Sequence, residues 1–153
     1  MPAIGKKVVV TVPPASAPRW PYLLFRGTTA SLGVLSVAQA VLAGSFLNGH
    51  YDLLRVHRAS AMVMIAIALA QAVTTVFLRR AGAPRSMLLI GLAFPVILAA
   101  EAGLGMGRVL GLHVPLGTLL VVGLLRGAAW AWRTPLPERV ALVEPARTVG
   151  ARS

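Results

Sequence analysis

Cysteine is absent from all 153 residues. That removes disulfides, thiolate metal sites and cysteine nucleophiles, and leaves the redox compartment open. Acid is nearly absent as well, with four Asp and Glu against fifteen Lys and Arg. So few carboxylates exclude an acidic metal cluster and supply poorly any proton relay or ion pathway. Charged residues make up only 12% of the chain, about half the share of a soluble domain. The glycine-rich phosphate loop, Gly-x-Ser-x-Gly and His-Glu-x-x-His are all missing, and with them the usual sequence signals of nucleotide, serine-hydrolase and zinc-protease chemistry.

Apolar sequence fills the space. The chain is 57% hydrophobic with a mean hydropathy of +0.78, which excludes an ordinary soluble domain and a disordered chain. Four stretches reach the roughly 20 apolar residues a spanning helix needs: Thr28–Asn48, Val56–Leu78, Ser86–Met106 and Leu110–Trp130. None alternates with the period of a strand. The links are short, with Gly and Pro in the basic turn Arg79–Arg85 to stop one helix and start the next. The expected fold is all-α: a four-helix transmembrane bundle, up-down-up-down, with consecutive helices antiparallel.

The net charge of +11 would suggest nucleic acid in a soluble protein. Sorted by side of the membrane, it becomes an orientation signal. Lys6, Lys7, Arg19, Arg26, Arg79, Arg80, Arg85, Arg126, Arg133, Arg139, Arg147 and Arg152 fall on one side, and only Arg55, Arg58 and Arg108 on the other. Basic residues gather on the cytoplasmic side, so both termini are expected there and no nucleic acid is needed. Trp20, Tyr22, Trp130 and Trp132 fit an aromatic belt on the same face. Arg126 lies inside the fourth span, close enough to its cytoplasmic end to snorkel. The expected organisation is a flexible, proline-bearing basic arm over 1–27, a transmembrane domain over 28–131 and a basic tail over 132–153. Basic tails of this kind can meet anionic lipid headgroups; a solvated tail without a partner is an equal alternative. A signal peptide is not expected, because the first apolar run has full span length.

Polar groups inside a bilayer are costly and mark the place to look for function. Here they are Gln39, His57, Gln71, Glu101 and His113, with His50 in the outer loop. His57 opens helix 2 and His113 opens helix 4, so both lie at similar depth near the outer face. In a square bundle those helices are diagonal partners across the core. Two imidazoles facing each other there are what bis-histidine ligation of a haem b requires. Gly44, Gly103 and Gly105 lie near the same level and could admit a porphyrin; equally they could let helices approach closely. Arg55, Arg58 and Arg108 could pair with haem propionates through their planar forks, or with Asp52, Glu101 or lipid phosphate. Glu101 could pair with Arg108 or Arg58, accept the free ring N–H of a histidine and so orient it, or simply sit at the interface. The histidines could likewise be hydrogen-bonded interfacial residues without metal. One of Gln39 and Gln71 could bridge helices by hydrogen bonds; Pro95 reads as a kink in helix 3, Met62, Met64 and Met87 as packing residues rather than axial ligands, and His50 as a solvated loop residue.

Four segments carry a resemblance: Ala38-Gln39-Ala40-Val41-Leu42-Ala43-Gly44, Val56-His57-Arg58-Ala59, Glu101-Ala102-Gly103-Leu104-Gly105 and Leu112-His113-Val114-Pro115-Leu116-Gly117. Together they resemble small four-helix bacterial membrane proteins of unknown function, and are similar to one half of haem A synthase. The resemblance covers Ala38–Gly117 and implies a multi-pass protein of the bacterial cell membrane in which His57 and His113 ligate haem. The departures are specific. Haem A synthase has two such halves where this chain has one, and its glutamate three residues before the helix 2 histidine is replaced by Leu54. Its outer-loop cysteines are missing too. The resemblance therefore implies a haem-binding fold more than an enzyme. The leading expectation is a b-type haem-binding or electron-transfer module. The alternative is a haem-free structural or assembly subunit, as a homo-oligomer or in a larger membrane complex, with Gly33, Gly44, Gly103 and Gly105 as helix contacts. A haem A synthase-like enzyme acting as a dimer comes last.

Overall fold

A computed structural model describes residues 19–134, and the remainder of both tails lies outside that range. The described chain is four helices: α1 (Trp20–Leu47), α2 (Leu53–Arg80), α3 (Arg85–Met106) and α4 (Leu110–Arg133). Each is long and apolar enough to cross a membrane. A helix of α1's 28 residues is about 42 Å long, well beyond the roughly 30 Å hydrocarbon core. Its ends therefore reach the headgroup layer.

The helices form where the apolar runs predict, but extend further into the flanking polar sequence. α1 starts eight residues before Thr28, with Pro21 in its first turn, where a missing N–H costs nothing. Trp20–Gly27, expected in the flexible arm, is therefore helical; its aromatics give it a surface to bury. α2 likewise gains three residues before Val56 and two after Leu78. Turns close the ends. Gly49 and Gly82 have φ of 97° and 90°, in the left-handed region that glycine enters without strain. Arg108 sits there too, at φ 58°, in the three-residue turn between α3 and α4.

Helix contacts run α4–α1–α2–α3, and the seam between α3 and α4 is by far the loosest. α1 does not approach α3, nor α2 α4, closely through their backbones, as in a square with those pairs on the diagonals. Two apolar clusters fill it. Phe25, Leu78, Ala83, Met87 and Ala131, with Tyr22 and Trp130 against them, close one end. Leu32, Met64, Ala68, Leu98 and Leu124 fill the middle. Met64 and Met87 are thus core residues, as expected, while Met62 is exposed.

At the first end, Arg26 ties α1 to the end of α4. Its Nε donates to the Ala131 carbonyl at 3.1 Å, and its Nη2 reaches the Trp132 and Thr134 carbonyls. Its guanidinium carbon also lies 5.4 Å from the centre of the Trp132 ring. The last carbonyls of a helix lack intrahelical donors and carry the negative end of its dipole, so a cation there both caps and neutralises. Arg26→Ala is expected to cost about 2 kcal/mol, read as a lower unfolding midpoint in detergent. Arg26→Lys should recover only part, lacking the fork. An unchanged midpoint in Arg26→Ala would show that these bonds contribute nothing.

Candidate functional site

The opposite end gathers the polar residues. Gln39 from α1, His57 from α2, Glu101 from α3 and His113 from α4 converge there, each half-buried. The His57 and His113 ring centres are 6.3 Å apart with planes at 85°. Because the backbones of α2 and α4 stay apart, the two imidazoles meet across the diagonal through their side chains alone.

His113 is fixed by α3. Its Nδ1 lies 3.1 Å from the Glu101 carbonyl oxygen and 2.8 Å from the carboxylate oxygen Oε1. The carbonyl can only accept, so Nδ1 carries the hydrogen of this bond; in the neutral ring Nε2 then holds the lone pair. The carboxylate contact is close but out of line for a second hydrogen bond, and Oε1 finds no other partner.

Two glycines make that approach feasible. A Cβ on Gly117 would stand 2.9 Å from Glu101 Oε1, and one on Gly105 would stand 3.0 Å from the His113 ring. Glu101 and Gly105 are one turn apart on α3; His113 and Gly117 are one turn apart on α4. Each large polar side chain therefore lies against the other helix's glycine. Gly117 belongs to the site, although its position in the sequence singled it out only as part of a small-residue pattern. The signal was legible in principle: Glu-x-x-x-Gly and His-x-x-x-Gly flank a short turn.

Gln39 connects α1 to α2, its Nε2 donating to the His57 carbonyl at 3.0 Å. That is an interhelical bond of the expected kind. Its Oε1 and the His57 Nδ1 are both buried without partners. Gln71 is fully buried in the bundle, but neither of its amide atoms is bonded, so of the two glutamines it is Gln39 that bridges helices.

Other candidates are placed differently. Gly103 is exposed and a Cβ there meets nothing within 4 Å, so it faces away from His113, opposite to Gly105. Gly44 is also open, but its direction is informative. It lies eleven residues beyond Gly33 on α1, about three turns and hence on the same face. A Cβ on Gly33 would stand 3.5 Å from Leu125 and 3.6 Å from Ala128 of α4. The same face at the histidine level therefore has free space. Arg55, Arg58 and Arg108 are exposed, and none forms a side-chain hydrogen bond or ion pair among the described residues, where Glu101–His113 is the only such pair. His50 is exposed in the α1–α2 turn, as expected. Among the described residues no group of three or more His, Asp and Glu side chains could hold a metal ion on protein ligands alone.

Four membrane-length apolar helices define a multi-pass helical membrane protein. Compared with family profiles, curated proteins and solved structures, the chain matches none.

Proposed function

We propose that the protein is a membrane-embedded b-type haem module that transfers electrons, in which His57 and His113 would hold the iron. The observation that carries this reading is the ring separation of 6.3 Å. An iron midway between the rings would be about 3 Å from each centre, which accommodates a metal–nitrogen bond of roughly 2 Å plus the nitrogen's own distance from the ring centre. Two further features support the fit: His113 is anchored through Nδ1, so Nε2 is its remaining ring nitrogen, and the buried Nδ1 of His57 has no partner.

When bound, a haem supplies one-electron redox chemistry. The chain's residues then have separate tasks. His57 and His113 would hold the iron. The Glu101 carbonyl orients His113 through the hydrogen on Nδ1 and would strengthen it as a donor. Arg55, Arg58 and Arg108, exposed at this end, would offer guanidinium groups to the propionate carboxylates. The experiment is a reduced-minus-oxidised spectrum of protein purified from haem-sufficient cells. A b-type α band is expected; its absence from well-folded protein supplied with haem overturns the reading.

The charge distribution supports placing the histidine end outside and both termini in the cytoplasm of a bacterial cell. A reporter fused to the C-terminus should be active only if it is cytoplasmic in kind; activity of a periplasm-dependent reporter there would reverse the orientation. A haem-free packing subunit is the second reading. The open backbones at Gly44 and Gly103 favour it, since small residues let a neighbouring helix approach closely.

A further inference from the structure

We propose that the seam between α3 and α4 binds an anionic phospholipid, with an acyl chain lying in the seam and the phosphate on Arg126. The loosest seam of the bundle opens, toward the end of α4, into a groove of about 470 Å³ lined by Ile90, Phe94, Gly123, Arg126, Gly127 and Trp130. Its α4 wall is nearly bare: a Cβ on Gly123 meets nothing within 4 Å, and one on Gly127 meets only the Phe94 ring, at 3.5 Å. The groove lies on helices long enough to span a membrane, so hydrocarbon is the material that meets it.

Arg126 selects which lipid. It sits between the two glycines, seven residues before the end of α4, about 10 Å along the helix. The only acids among the described residues, Asp52 and Glu101, lie at the other end, and Glu101 is engaged by His113. An arginine this close to the end of a span snorkels to the headgroup layer, and the phosphate it meets there matches the guanidinium fork. Arg79, Arg80, Arg85 and Arg133 surround the same end and draw anionic headgroups toward it. A zwitterionic lipid brings its own cation into this field and gains less.

Trp130 lines the groove and reports on its occupant. The chain has three tryptophans, so Trp20→Phe with Trp132→Phe leaves Trp130 alone. This protein is placed in phosphatidylcholine vesicles containing a minor fraction of lipid with brominated chains. Brominated phosphatidylglycerol should quench Trp130 with a relative association constant roughly five-fold above that of brominated phosphatidylcholine, the effect of about one basic residue near a headgroup. The preference should fall toward unity in Arg126→Gln and persist in Arg133→Gln, which alters an exposed arginine outside the groove. Equal quenching by the two lipids, or a preference that survives Arg126→Gln, overturns the proposal. Absence of quenching by either lipid does so as well, and indicates a seam closed by a second copy of the chain.

Discussion

His57→Ala and His113→Ala are each expected to abolish the b-type α band completely. The reason is positional. The two rings are the only imidazoles that converge, and they do so from helices whose backbones stay apart. Neither has a substitute within reach: His50 is exposed in the α1–α2 turn, and the buried Met64 and Met87 belong to apolar clusters. His50→Ala should therefore leave the band intact. Glu101→Gln tests the carboxyl contact rather than ligation. The carbonyl of residue 101 would still accept the hydrogen on His113 Nδ1, so the band and the haem affinity should persist, while the midpoint potential shifts because the carboxyl group 2.8 Å from Nδ1 is replaced. A band that survives His113→Ala, or vanishes in His50→Ala, would remove these residues as ligands.

Gly91→Ala is expected to be the most damaging small change in the bundle. A Cβ at this position would overlap the Thr75 side chain, lying 2.9 Å from the Thr75 Cβ itself and nearer still to its hydroxyl and methyl. Thr75 has no room to retreat: it is completely buried, β-branched, and held by a 2.8 Å bond from its hydroxyl to the Ala72 carbonyl. α2 and α3 must separate locally or strain, at about 1–3 kcal/mol. Thr75→Ala removes the atoms in conflict. The double variant should recover most of the loss, so the two changes are strongly non-additive. Thermal unfolding of the four proteins in one detergent measures the cycle. If Gly91→Ala unfolds at the wild-type midpoint, α2 and α3 are not in the close contact described.

The number of helices and their rough limits were legible because membrane spans announce themselves by length and hydropathy. Their true ends were not. The extension of α1 back to Trp20 depends on Phe25 reaching Leu78 and Ala131 and on Arg26 reaching the carbonyls of α4. These partners are more than 50 and 100 residues away, and no local pattern encodes them. At the site, the matched ends of α2 and α4 brought His57 and His113 together on paper because helical register and short turns leave few alternatives. Which glycines line the site was less accessible. Gly103 and Gly105 are equally good candidates by composition, yet two residues turn a helix through some 200°, and only the observed rotation of α3 sets Gly105 against His113. Glu101 is similar. Its alternatives, Arg58, Arg108 or a histidine, differ only by side-chain direction, and the partner is His113. Gln71 shows the reverse case: the sequence offers a hydrogen-bonding group, and the bundle gives it no counterpart.

Glu101 and His113 join α3 to α4 beside their connecting turn, while the same two helices are loosely associated along the rest of their length. Mechanically, this is a pair of arms pinned near the pivot. Away from that pin no side-chain hydrogen bond or ion pair joins α3 to α4 among the described residues, so apolar contacts alone connect the two arms there, and these can slide where the His113 contact cannot. The site with the strictest geometry occupies the still point of the bundle's loosest joint.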